Sequence, residues 1–442
     1  RELVVNRALP SADGTWIWIG QVEHFGSGGT GDGGVGLDAG IDAGVDAGVD
    51  LPPGDAWIAR ITAERNARWQ LAVGAMGSFE VAESAIELRD GRIAVAGSAT
   101  GPVDEDAWLL FLESRGAISA QKLVGGPGDQ RFVELTALDN GDIALIGLAT
   151  ATDGTTPAIL MARFTPEGTD VWQQRVTMPG ATRVTPVQVL RRSDERLIFL
   201  GAVDSGPDTD LDVWAAATDL DGNLEWQRTL GTTGDDVPGH AVFAGDRGLI
   251  FAGRVAPTED PADPDERLTG DLWVVKVDNG GAVVWQRYFE RVGSEEIPRR
   301  VVLREDGRVN VVATSDGFGS RAVGDDDVWV LELADDGEVL SQRIVASLSP
   351  DRPVNAIEVD QDTLAITGVV DARPVYWTLD DGGSLVEGCG NVSDTDARVI
   401  DTSLQLEERV GEVEPTSLMV TDSAEMEGRP PPLQPLECRV AR

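Results

Sequence analysis

Residues 212–236 read DVWAAATDLDGNLEWQRTLGTTGDD. A short apolar run opens at Trp214. The turn Asp221-Gly222-Asn223 follows, a second run carries Trp226-Gln227, and a Gly/Asp loop closes the stretch. Two runs of five to nine residues around a Gly/Asn/Asp turn predict a β-hairpin.

Versions of this stretch recur along the chain. The first Trp returns as Trp57, Trp108, Trp214, Trp273, Trp329 and Trp377, with Leu160 in the remaining copy. Successive anchors lie 51, 52, 54, 59, 56 and 48 residues apart, which makes seven copies. Twelve residues after the anchor stands Trp69, Trp172, Trp226 or Trp285; Ala120, Ser341 and Cys389 take that place elsewhere. The next residue is Gln in six copies: Gln70, Gln121, Gln173, Gln227, Gln286 and Gln342. These positions plus Trp16 and Trp18 use all 12 tryptophans, so the repeat is not a chance pattern.

Each copy has two further segments. One alternates and ends in a turn, such as VAESAIELRDG at 81–91; the other ends in Gly, such as RIAVAG at 92–97. No segment sustains a 3.6-residue period. Four short strands per unit, repeated seven times, predict an all-β fold: a seven-bladed β-propeller of four-stranded blades. Lettering the strands A to D, copy two places A near 81–90, B near 92–99, C near 106–113 and D near 117–124. LVVNRAL then becomes strand A of blade 1, and the last strand D falls near 384–388. In another phase the last blade would be shared between the two chain ends. Strands such as WLLFL (108–112) need cover on both faces, which stacked blades supply. The ten repeat tryptophans are the expected blade-packing residues, and the Gln is expected to face solvent or bond to backbone on the outer strand.

The pattern D-x-W, apolar run, Gly turn, W-Q, then G-G and D resembles the repeats of secreted bacterial seven-bladed β-propellers. DLWVVKVDNGGAVVWQRYF (271–289) and DAWLLFLESRGAISAQKLVGGPGD (106–129) carry the resemblance, which spans about residues 1–390. It implies a propeller and a secreted, extracellular or cell-surface setting, and no activity, because such repeats are scaffold.

The chain has 442 residues, 76 acidic against 36 basic, and a formal charge of −40. Such a surface disfavours nucleic acid and anionic membranes. It suits cations, basic partners or high salt. No run is long enough to span a membrane. The chain opens on Arg1 rather than Met, which reads as a processed or trimmed start.

Function is expected where the repeat breaks. A Gly/Asp-rich insertion occupies 26–54, and the B–C loops 204–212, 256–271 and 316–327 are long and acidic. With Asp129, Asp235, Asp236, Glu295 and Glu296 from the D–A loops, they predict one acidic face. A solvated surface explains that face, and so does a Ca²⁺ site with Asp208, Asp210, Asp212, Asp325, Asp326 and Asp327 as candidate ligands. No other cofactor is implied. With only His24 and His240 present, a His-based metal centre is not expected. Residues 391–442 form an extended, Pro-rich tail outside the repeat. Cys389 and Cys438 are the expected disulfide, tying it back. Its strands are expected to pair with outer-strand edges, of the same subunit or of a neighbour. Asn391-Val392-Ser393 matches a glycosylation sequon.

No nucleophile elbow or phosphate loop appears. The leading expectation is therefore a non-enzymatic, secreted structural subunit of a cell-surface or extracellular assembly, self-associating as a homo-oligomer or filament through tail or insertion. The alternatives are an adhesion module binding a surface glycan or Ca²⁺ at the acidic face, and a carboxylate-based carbohydrate-active enzyme.

Overall fold

Apolar runs bounded by Gly, Asp and Asn become strands throughout, and the described residues contain no helix. The computed structural model describes residues 3–11, 13–23, 54–62, 66–74, 78–100, 104–151, 155–178, 180–204, 210–232, 234–255, 270–290, 294–316, 326–347, 350–370 and 373–388. In the tail it describes six short strands. Insertion 26–53, His24, Asp208, Asp325, Cys389 and Cys438 lie outside these residues, and so does the expected disulfide.

Seven antiparallel four-stranded sheets make a seven-bladed β-propeller. They occupy 3–74, 79–125, 130–177, 184–231, 236–290, 296–346 and 351–387, each in strand order A-B-C-D. Blade 2, for example, runs Phe79–Glu87, Ile93–Thr100, Glu105–Leu112 and Ile118–Gly125. No blade is shared between the chain ends. The chain divides into two compact units, one holding 1–177 with 413–435, the other 178–412 with 436–442. Blades 1 to 3 fall in the first and blades 4 to 7 in the second.

Within each unit the core lies between facing sheets. In unit 1 one apolar cluster joins blades 1 and 2 around Trp108, and another joins blades 2 and 3 around Phe111, Phe132, Leu160 and Phe164. In unit 2, Trp273, Trp329 and Trp377 sit in three further clusters. All six anchor tryptophans are fully buried. A large flat ring buries the most apolar area per residue in a wedge between sheets.

The Gln after the second Trp differs from its expected role. Gln70, Gln227 and Gln286 accept hydrogen bonds from the indole N–H of Trp57, Trp214 and Trp273, at 3.4, 3.2 and 3.2 Å. A buried indole N–H needs an acceptor. Strands C and D are antiparallel neighbours, so a residue 13 positions on reaches it. The second Trp, half-buried, covers the next blade's C–D turn: Trp69 donates to Ser114 O (3.1 Å) and Trp285 to Asp335 O (2.8 Å). Gly116 and Gly337 there have positive φ, and a Cβ at either would strike the indole.

Every strand A carries a β-bulge opposite a small residue inside strand B, and strand A of blade 7 carries a second one near its end. In blade 2, Ala82 pairs Gly97 and Ser84 pairs Ala96, leaving Glu83 as the extra residue. A Cβ on Gly97 would penetrate the Val81 carbonyl oxygen, which explains that glycine. Asn6 and Val133 are the extra residues of blades 1 and 3. Strands A of adjacent blades pack on one another within each unit, so they are the inner strands. Strands D are the outer ones.

The tail covers those outer edges. In unit 1, Glu427–Arg429 pairs with strand D of blade 1 and Met419–Asp422 with that of blade 2, while Glu412–Pro415 joins blade 3. In unit 2, Gln405–Glu407, Arg398–Ile400 and Asn391–Asp394 pair with blades 4, 5 and 6. Each pairing satisfies edge N–H and C=O groups that would otherwise template association. Blade 7 keeps four strands.

Candidate active site

Polar residues in the middle of inner strands are the unusual chemistry of unit 1. Strand A of blade 1 (Leu3–Pro10) carries Asn6-Arg7, that of blade 2 carries Glu83-Ser84, and that of blade 3 (Gln130–Ala137) carries Arg131 and Glu134. A bulge bends the strand and turns the extra side chain out of the regular alternation. Arg7 and Glu83 sit at such bulges, beside core residues such as Ala82 and Ala85.

Arg7 links the three strands. Its Nη1 donates to Ser84 Oγ at 3.1 Å and to Glu134 Oε1 at 2.6 Å. The side chains of this ion pair are 16% and 10% exposed, so solvent screens it little. Asn6 Nδ2 donates to the Ala82 carbonyl at 2.9 Å, fixing blade 1 against blade 2. Glu83 is half-buried, and burial pushes its carboxyl up from the ordinary value. Arg131 and Arg7 pull it down, and Glu105 pushes it further up. Arg131 has a buried Nε–H with no acceptor among the described residues. The group therefore contains a carboxyl biased toward its protonated form, a carboxylate paired with Arg7, and an unused donor. A carboxyl that favours its proton can act as a general acid, and an arginine-paired carboxylate can stabilise positive charge.

A second set of acids lies at the strand ends of unit 2. Asp236, which opens strand A of blade 5, is fully buried. Its carboxylate accepts from the Thr232 N–H and, at 2.9 Å, from Thr232 Oγ1. Burial, with Asp212 and Asp235 nearby, raises its pKa to about 7. Glu296, opening strand A of blade 6, accepts from Ser294 and Ser315 hydroxyls; burial, then Asp271 and Asp316, raise it to about 8. Asp236 Oδ1 and Glu296 Oε2 have no hydrogen-bond partner among the described residues.

The Ca²⁺ candidates distribute as follows. Asp212 abuts Gly231, near Asp236. Asp210 contributes to the field on Arg183. Asp326 pairs with Arg352 at 2.6 Å, and Asp327 is buried at the start of strand C of blade 6. Asp210 and Asp212 serve blade 4, Asp326 and Asp327 blade 6. Among the described residues no group of three or more His, Cys, Asp or Glu is placed to hold a metal. His240 lies in strand A of blade 5, where its Nδ1 accepts from the Val301 N–H at 3.2 Å.

No family model matches the chain, and no curated protein matches it. Solved structures do. Puromycin hydrolase is similar at 14% identity and a TM-score of 0.52, over 88% of this chain and 55% of that one. Its S511A mutant complexed with PGG is similar at 14% and 0.50, over 90% and 54%. The polysaccharide lyase Uly1 is similar at 11% and 0.43, over 72% and 81%. The chain thus spans about half the length of the puromycin hydrolase chains it matches. Likeness at this identity establishes the fold. The expectation of a non-enzymatic, purely structural propeller is overturned to this extent: puromycin hydrolase, which shares the fold at TM-scores of 0.50 and 0.52, is an enzyme, so the propeller does not argue against catalysis. A repeat that serves packing leaves catalysis open, because the bulged inner strands lie outside the repeat's Trp/Gln code.

Proposed function

We propose that the chain is a carboxylate-based carbohydrate-active enzyme whose acid, Glu83, and charge-stabilising carboxylate, Glu134, lie on the inner strands of unit 1. The observation that supports this reading most is the asymmetric pair: Glu83, biased toward protonation by burial, near Arg7, which holds Glu134 as a carboxylate. Glu83 donates its proton to the bridging oxygen as the C–O bond breaks. Glu134 stabilises the positive charge that develops at the sugar carbon. Water adds at that carbon, and its proton passes to the Glu83 carboxylate, which restores the acid. Arg131 offers its unused Nε–H to a sugar hydroxyl and acts as a positioning residue. The acidic surface favours neutral glycans over polyanionic ones.

A panel of neutral oligosaccharides, read by reducing-end release, tests the reading. Turnover by the wild type, lost on Glu83→Gln and on Glu134→Gln with folding intact, supports it. Turnover that survives both substitutions, or none on any glycan, overturns it.

A further inference from the structure

Strand C of blade 4 (Leu211–Asp219) departs from its counterparts in one way. The residue after the anchor is Ile58, Leu109, Met161, Val274 or Val330 in five other blades and Thr378 in blade 7, each buried. In blade 4 it is Ala215, which is half-buried. The missing side chain leaves a cavity of about 30 Å³ between blades 4 and 5 of unit 2. Leu200, Val213, Leu230, Phe251 and Val277 wall it. A hole of that size holds about two waters, yet its walls give water few partners, so a small apolar group suits it better.

The mouth is cationic, although the whole chain carries a charge of −40. Arg192, Arg228 and Arg247 line it with Asp278 and Asn279. Arg192 is committed to Asp194 (2.7 Å) and Asn279 (2.6 Å), and Arg228 donates to Gly280 O (2.9 Å). Asp278 accepts from the Gly280 and Ala282 N–H groups of its own turn, at 2.8 and 2.9 Å. The Arg247 guanidinium makes no hydrogen bond or ion pair among the described residues, and the residue is exposed in a left-handed turn (φ 69°) whose backbone N–H donates to the Ala244 carbonyl. A guanidinium offers a planar fork that fits a carboxylate.

We infer that this cavity is a binding site for a short branched aliphatic carboxylate, its methyl groups in the hole left at Ala215 and its carboxylate on Arg247. The site is separate from the inner-strand carboxyl pair and stands whether or not the proposed catalysis is correct.

Titration of the full chain with 3-methylbutanoate, followed by NMR or calorimetry, tests this. The expected result is saturable binding that weakens about tenfold or more in Arg247→Ala, since a charge-assisted pair is lost. Ala215→Leu fills the hole and abolishes binding while keeping or raising the melting temperature. Ala215→Val, a smaller filling, weakens it and serves if the Leu variant fails to fold. Equal affinity for 3-methylbutan-1-ol, which has the tail without the charge, overturns the inference. So does binding unchanged in the folded Ala215 variants, or no saturable binding by the wild type.

Discussion

The inner strands of unit 1 and the strand ends of unit 2 both hold carboxyl groups that burial pushes toward protonation, but they hold them differently. Glu83 is half-buried at a bulge, within the field of two arginines. Asp236 and Glu296 are wholly buried, fastened by Thr232 or by Ser294 and Ser315, with other acids around them. The first arrangement leaves the acid partly exposed, with the Arg7-paired Glu134 carboxylate on the next inner strand. The second stores a proton in a seam between blades. A raised pKa thus marks two unlike things, and access separates them.

The largest effect expected is on turnover. Glu83→Gln should lower glycan cleavage by roughly 10²–10⁴-fold, the usual contribution of a general acid, and Glu134→Gln by roughly 10²–10³-fold, that of an electrostatic stabiliser. Asp236→Asn should leave it within about twofold. Comparable losses from all three would break the distinction between an open and a sealed acid.

Next comes stability against pH. Asp236 rises from 3.8 to about 7 and Glu296 from 4.5 to about 8 on folding. The folded state binds more protons than the unfolded one between these values. The stabilisation is fully present below about pH 4 and is lost as pH rises through 7 to 8. One pKa unit corresponds to about 1.4 kcal/mol, so the loss is on the order of 4 kcal/mol per group. Denaturant melts from pH 5 to 9 should show falling stability, and Asp236→Asn should flatten part of that slope. A wild-type curve that is level from pH 5 to 9 would refute the assignment.

Arg7→Met tests the open site from its other side. It leaves Glu134 without its cation and should destabilise by about 3 kcal/mol, measured by urea unfolding, because an uncompensated carboxylate remains largely buried. The smallest effect concerns the scaffold. Gln227→Leu strands the Trp214 indole N–H and should cost about 1–3 kcal/mol. No loss there would mean that the Trp–Gln bond is dispensable.

Much of the fold was legible because its signals are local and repeated. Trp108 and Trp214 each announce strand C, Gly222 announces a turn, and seven copies announce the blades. The role of Gln227 was not legible, because it depends on a partner across the C–D hairpin. The inner-strand group was harder still. Asn6-Arg7, Glu83-Ser84 and Glu134 are charged or polar residues in the middle of strands A, a signal that was present. Sequence distance hides their meeting, since Arg7 and Glu134 lie 127 residues apart. The acidic loops, with Asp210, Asp212, Asp326 and Asp327, carry the more conspicuous local signal. The described residues of those loops form no cluster fit for a metal.

The sequence by itself determined the strands, their order, the count of blades and the tail's extended course, since each follows from patterns within about 50 residues. The tertiary structure alone decided which strand edges the tail covers, which Gln serves which Trp, where Ala215 leaves a hole, and that Arg7 meets Glu134 and acts on Glu83. Those outcomes depend on packing between segments far apart in the chain, and local periodicity carries no record of them.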